Sequence, residues 1–226
     1  MKVCIMMLSF MLSSLFSFYK EESKTKDPLT ILAIGDSITQ GAKQTPSYLF
    51  FLQEIFYKAG YDVKFIGPRV SQYNNHSLHH SGYAGKNAEF LDSVVSATYT
   101  NYPADVVLIH AGHNYFTEDN PIQKIIDAQR SMVKKIKAIN PHAKIFLAQV
   151  IPSGKMPKYG YIPELNKQIK TLTKELSKTY TAIYLVNQYK EFNYKKDAVE
   201  DLVHPNASGA KKIALTWSKE IFKQIK

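Results

Sequence analysis

Cysteine is almost absent from this sequence. Cys4 is the single one, so no intrachain disulfide can form and the fold must be held by its core. Arginine is nearly as scarce: Arg69 and Arg130 stand alone among 29 cationic side chains, which leaves few candidates for bidentate recognition of phosphates or bases. No nucleic-acid partner is therefore expected, despite a formal charge of +10 and a pI near 9.4. The lysines are dispersed, and those at 134, 135 and 137 read as a solvated helix face. Attraction to an anionic wall polymer is the only partner that the charge itself suggests.

Long apolar runs are lacking as well. The longest stretch, the Ser-containing run from Val3 to Phe18, follows Met1-Lys2 and precedes Lys20-Glu21-Glu22. It falls short of the ~20 residues of a full span and reads as a signal peptide over residues 1–20, or as an N-terminal anchor if it is not cleaved. Either way the expected location is periplasmic, extracellular or cell-surface, with membrane contact only for the uncleaved form. There is no Gly-x-Ser-x-Gly, which excludes the strand-turn-helix elbow of the larger α/β-hydrolases. Repeats and low-complexity linkers are also missing, so residues 28–226 read as one domain.

Short apolar runs alternate with longer amphipathic stretches from Leu29 onward. Strands are expected at Leu29 to Ile34, Asp62 to Ile66, Asp105 to His110, Lys144 to Ile151 and Ala182 to Val186. Their continuous apolar character suits a parallel sheet covered on both faces. Helices are expected over Ser47 to Ala59, Asn87 to Ala97, Pro121 to Ile139, Pro163 to Ser177 and Ala207 to Gln224, with Pro121 and Pro163 where a first turn tolerates proline. This is an α/β pattern, and right-handed crossovers place the loops that follow the strands along one ligand-binding edge.

Those loops hold the chemically loaded residues. Gly35-Asp36-Ser37-Ile38-Thr39 follows the first strand, Gly82-Tyr83-Ala84-Gly85 lies after the second, and Gly112-His113-Asn114 follows the third. Asp201-Leu202-Val203-His204 precedes the last helix. A serine needs a base to become a nucleophile, and the base needs an acceptor that fixes its tautomer; His204 and Asp201 supply both for Ser37. Taken alone, Asp-x-x-His is a common turn and Gly-Asp-Ser a common helix cap. Acyl transfer also needs donors for the developing oxyanion, each worth about 3 to 4 kcal/mol. The candidates are the Ser37 amide, an amide of the Gly82–Gly85 segment and the Asn114 side chain.

With these four blocks in this order, the chain resembles the SGNH or GDSL hydrolases over Ile31 to Ala214. The resemblance implies a three-layer α/β/α sandwich with a five-stranded parallel sheet, flavodoxin-like in form, and serine ester hydrolysis without a cofactor or metal. It implies Ser37, Asp201 and His204 as the catalytic triad, and Ser37, Gly85 and Asn114 as the oxyanion hole, with Gly82 as the fallback glycine. His113 and Tyr115 depart from the family's Gly-Thr-Asn-Asp, so the loop carrying Asn114 must be braced differently. The stretch from His79 to Gly85 and the strand end from Ala148 to Pro152 look most like carbohydrate acetylesterases such as acetyl xylan esterases. An acylated saccharide is thus the expected substrate. The rivals are a lysophospholipase or broad acyl esterase, and a non-catalytic carbohydrate-binding surface protein.

Five histidines, at 76, 79, 80, 110 and 113, also invite a metal reading. No cysteine accompanies them and the spacing is not His-x-x-x-His, so contact with substrate is the alternative for His80 and His113. Asp36, Gly82, His113, Tyr115 and Tyr159 are further substrate-binding candidates. Tyr115, Tyr159 and Tyr161 could form a sugar-stacking platform, or the loop from Pro152 to Tyr161 could be a plain surface connection.

Overall fold

The computed structural model describes residues 27–42 and 45–225; the segment read as 1–20 lies outside the described residues. Among the described residues seven strands and eight α-helices follow in order: β1 (Leu29–Gly35), α1 (Ser37–Gln40), α2 (Tyr48–Lys58), β2 (Val63–Ile66), β3 (Arg69–Tyr73), β4 (His76–Gly82), α3 (Ala88–Asn101), β5 (Val106–His110), α4 (Ile122–Ile139), β6 (Lys144–Gln149), α5 (Ile162–Thr179), β7 (Ile183–Asn187), α6 (Gln188–Glu191), α7 (Tyr194–Asp197) and α8 (Ala207–Phe222), with a 3-10 turn over Thr117–Asp119 before α4.

The five expected strands are β2, β1, β5, β6 and β7, all parallel. Successive residues of a strand face opposite sides of the sheet, and here both sides are core. Ile31, Ala33, Val106, Leu108, Phe146 and Ala148 pack with α2 and α8, while Leu32, Ile34, Val107, Ile109, Ile145 and Leu147 pack with α3, α4 and α5. Double coverage explains why these strands read as unbroken apolar runs rather than as alternation.

The sheet has seven strands rather than five, because β3 and β4 form an antiparallel hairpin. Its sequence, from Arg69 through Gly82, offers no apolar run: Leu78 is its one buried large aliphatic residue, and His80 and Ser81 fill other buried positions. The turn carries the missing signal. Tyr73 pairs with His76 across a two-residue loop, and Asn74 and Asn75 take φ of 47° and 64°, the left-handed pair that a type I′ hairpin requires and that asparagine tolerates. One edge of β1 is consequently shared. β2 pairs with Leu29 to Leu32, and β4 pairs with Ile34 and Gly35, which delivers the segment after Gly82 to the end of β1.

Lys137 also differs from the expectation of a solvated face. It is 3 % exposed, and its Nζ donates to the carbonyls of Pro141, Ala143 and Thr181 at 3.0, 2.7 and 2.7 Å. A helix pattern places it on the polar side, but the chain leaving α4 folds back over it and presents carbonyls that need a donor.

Candidate active site

Ser37 opens α1 directly after β1. The Asp36 carboxylate Oδ1 accepts from the Ile38 amide at 2.9 Å and caps this short turn. Gly35 is required there: a Cβ would lie 2.2 Å from Thr39 Oγ1 and 2.8 Å from the His110 carbonyl. The Ser37 hydroxyl thus sits at the carboxyl edge of the sheet, between the ends of β4 and β5.

The loop before α8 brings the base. Asp201 Oδ1 accepts from the amides of Val203 and His204 at 2.8 and 2.9 Å, closing a tight turn with Leu202 at φ 60°. The turn is anchored outward, since the Leu202 carbonyl accepts from Gly154 N at 2.9 Å and Ser153 Oγ at 3.1 Å. Asn206 then caps α8 through Gly209 N at 2.9 Å. Within this frame His204 Nδ1 lies 2.5 Å from Asp201 Oδ2, and His204 Nε2 lies 2.8 Å from Ser37 Oγ. Burial by itself would raise the Asp201 pKa, but hydrogen bonds from the His204 ring and from the His204 and Val203 amides outweigh it and hold the carboxyl below its ordinary range. An ionised Asp201 can only accept, so Nδ1 carries the proton and Nε2 presents its lone pair to the serine hydroxyl. His204 and Asp201 side chains are 32 % and 39 % exposed, so the site opens directly to solvent.

Three neighbouring loops carry the amide and carboxamide donors. Tyr83 N donates to the Gly35 carbonyl at 2.9 Å, and Ala84 N to Gln40 Oε1 at 3.0 Å, tying the Gly82–Gly85 segment to β1 and α1. Asn114 Nδ2 donates one hydrogen to the Lys86 carbonyl at 2.9 Å, which fixes its side chain beside the residue after Gly85 and leaves its second N–H to point elsewhere. Gly85 has φ 74°, and no atom lies within 4 Å of the position its Cβ would take. Among the described residues the Gly85 amide has no protein acceptor, whereas Gly82 N donates to His80 Nδ1 at 2.9 Å. Gly82 is buried, and a Cβ there would meet Gln40 N at 2.6 Å, so it is a packing glycine and not a substrate contact. Gln40, which the sequence reading passed over, is the tether between the two loops; its place three residues after Ser37 was the available signal.

The remaining expected substrate contacts are turned inward. His80 is fully buried, accepts from Gly82, and faces Ser71 Oγ through Nε2 at 2.8 Å; Ser71 in turn donates to the Gln40 carbonyl at 2.6 Å. Burial above all, with Arg69 and His79 nearby, pushes its pKa down to about 4. It holds the hairpin to α1 rather than touching substrate. Tyr115 accepts from Ala88 N at 2.8 Å and donates to the Glu89 carboxylate, and Tyr161 donates to the Gly112 carbonyl at 2.8 Å. The Tyr159 ring packs edge-on against His113 at a ring-centroid distance of 5.5 Å. All three rings are buried, leaving no open face for a sugar, and they supply the bracing of the Asn114 loop that the departures from Gly-Thr-Asn-Asp demanded.

Asp36 and His113 are buried behind the nucleophile, with Asp36 Oδ2 3.8 Å from His113 Nδ1 and neither atom otherwise bonded. His113 Nε2 lies 3.2 Å from the Ile151 carbonyl, which requires its proton, so Nδ1 is an acceptor facing a carboxylate. Desolvation raises the Asp36 pKa to about 6 against the opposing pull of the Ile38 amide and His204, and it lowers that of His113 to about 3. Neither residue is placed to meet substrate. Among the described residues no three His, Cys, Asp or Glu side chains form a group that could hold a metal ion.

Comparison with known proteins places this geometry in context. The family 3 carbohydrate esterase of Clostridium thermocellum superposes with a TM-score of 0.76 at 22 % identity, over 87 % of this chain and 98 % of that one. An acetyl esterase solved with an acetate ion superposes with a TM-score of 0.74 at 21 % identity, over 86 % and 97 % of the two chains. At this identity the likeness carries the fold. A multidomain esterase of Ruminococcus flavefaciens is 23 % identical over 231 residues, covering 88 % of this chain, which spans only 29 % of that protein's length. The sequence model of the GDSL-like lipase/acylhydrolase family matches residues 33–212, and the chain belongs to that family of carboxylic ester hydrolases.

Proposed function

We propose that the protein removes acetyl groups from a saccharide through an acyl-enzyme on Ser37. The observation that carries this reading is the unbroken relay from Ser37 Oγ to His204 at 2.8 Å and on to Asp201 at 2.5 Å. Ser37 Oγ attacks the ester carbonyl as its proton passes to His204 Nε2, and Asp201 stabilises the imidazolium. The oxyanion is held by the amides of Ser37 and Gly85 and by Asn114. His204 then protonates the departing sugar hydroxyl, and water, deprotonated by the same ring, releases acetate and regenerates Ser37.

Two further observations support a short acyl group on a polar alcohol. The site opens to solvent, which suits a bulky hydrated leaving group. Beside Asn114, the rings of His113, Tyr115, Tyr159 and Tyr161 are buried and pack against one another, which favours a short acyl group. The structural neighbours named as carbohydrate and acetyl esterases support the same choice. An exported location, proposed from the N-terminal segment, would bring the enzyme to such polymers. Acetate release from acetylated oligosaccharides, measured beside hydrolysis of long-chain acyl esters, tests the reading. Faster turnover of acetyl esters is expected, and a preference for long-chain esters would favour a lysophospholipase instead.

A further inference from the structure

A cleft away from Ser37 lies along α2. It has a volume of about 550 Å³ and is walled by Phe50, Phe51, Tyr57, Tyr61 and Tyr73. A second cleft of about 610 Å³ shares Phe50, Tyr73 and Asn74 with it and reaches Gln40 and Gly41. Gln40 closes the turn that begins at Ser37, and its side chain holds Ala84 beside Gly85. The two clefts therefore form one track that starts at the catalytic turn and follows α2 from Ser47 to Tyr57, roughly 15 Å at 1.5 Å per residue.

We propose that this track binds a neutral glycan chain, extending the substrate beyond the ester cleaved at Ser37; the proposal rests on the saccharide reading of that site. Sugars are recognised by flat apolar ring faces together with planar polar groups that pair with hydroxyls, and the track offers both. Tyr57 is 81 % exposed, while Tyr73 is half-buried and held in place by Phe50 and Phe51 at ring-centroid distances of 5.6 and 6.2 Å. Rigid aromatic walls supply contact area with little ordering cost. Gln53, Asn74 and Asn75 place amides along the rim. The wall is also fixed to the catalytic turn, because Ser71 of β3 donates to the Gln40 carbonyl at 2.6 Å.

The polar lining matches the same chemistry. Asp62 contributes a carboxylate to the first cleft, while that of Glu54 is paired with Lys58 at 2.5 Å. The hydroxyls of a neutral chain can donate to the Asp62 carboxylate and pair with the amides of Gln53, Asn74 and Asn75.

The test uses the full chain with Tyr57→Ser, which alters an exposed ring, and with Tyr73→Leu, which keeps apolar packing against Phe50 and Phe51. Kinetics are measured on soluble acetylated xylan and on 4-nitrophenyl acetate. Each variant is expected to raise KM on the polymer roughly threefold to tenfold, with kcat on the polymer and all constants on the small ester unchanged. Equal effects on both substrates, or none on the polymer, overturn the proposal. Binding of unacetylated xylan to Ser37→Ala protein, with and without Tyr57→Ser, reads the track independently of turnover. Weaker binding in the double variant supports the track even if the wild type releases no acetate from xylan, an outcome that would sink the saccharide-esterase reading instead. Unchanged binding, or displacement of xylan by polygalacturonate at low salt, overturns it.

Discussion

Replacing Asp36 by Asn should stabilise the protein at neutral pH while leaving it almost unchanged near pH 4. Asp36 is fully buried, its Oδ1 caps Ile38, and its Oδ2 faces the acceptor Nδ1 of His113 at 3.8 Å. Its pKa is raised from 3.8 to about 6, first by desolvation. Because the folded pKa lies above the unfolded one, ionisation weakens the fold: stability is full below about pH 4, falls as pH rises from 3.8 to about 6, and stays reduced above. Two pKa units correspond to roughly 3 kcal/mol. An asparagine keeps the Oδ1 acceptor, supplies an Nδ2 donor to His113, and cannot ionise. At pH 8 the variant should gain about that amount, or roughly 6–12 °C in melting temperature for a domain of this size. The assay is thermal or urea unfolding of both proteins at pH 4 and pH 8, and taking the difference between them cancels the other titrating histidines. A difference independent of pH, or a variant less stable at pH 8, refutes the argument.

Three further substitutions test other parts of the account. Asn114→Gly removes the carboxamide but suits the φ of 70° at that position, so kcat should fall about a hundredfold to a thousandfold while circular dichroism stays native; unchanged kcat would remove Asn114 from the oxyanion hole. Asp201→Asn deprives His204 of its tautomer-fixing acceptor, and kcat on a chromogenic acetate should drop about a hundredfold to ten-thousandfold, with a drop below threefold contradicting its role. Lys137→Met strands three carbonyls that the ammonium now satisfies, and urea unfolding should show a loss of at least about 2 kcal/mol; an unchanged midpoint would mean that water replaces the ammonium.

Much of the architecture was legible because burial on both faces writes itself into composition. The runs at Leu32 to Ile34, Val106 to Ile109 and Ile145 to Leu147 could only be central strands, and their order placed the Ser37 and Asn114 loops on neighbouring strand ends, with the His204 loop brought in ahead of the last helix. The β3–β4 hairpin was not legible from hydropathy, since its buried positions include the polar His80 and Ser81, with His80 held by hydrogen bonds to Ser71 and Gly82; only the Asn74-Asn75 pair announced it. The tyrosines failed differently. Type and position near the site made Tyr115, Tyr159 and Tyr161 look like sugar platforms, but a phenol has a polar tip and an apolar body, and here the tips of Tyr115 and Tyr161 bond Ala88 and Gly112 while all three bodies fill the core. Sequence spacing does not say which way such a side chain turns. Lys137 makes the same point for a cation that three carbonyls draw inward.

The central claim is that Ser37 is the nucleophile activated by His204 across 2.8 Å. Acetate release from 4-nitrophenyl acetate, followed for wild type and for Ser37→Ala of verified fold, tests it most directly. Wild-type turnover with a loss on the order of ten-thousandfold or more in the variant is predicted; a Ser37→Ala protein that keeps activity within tenfold of wild type would contradict it.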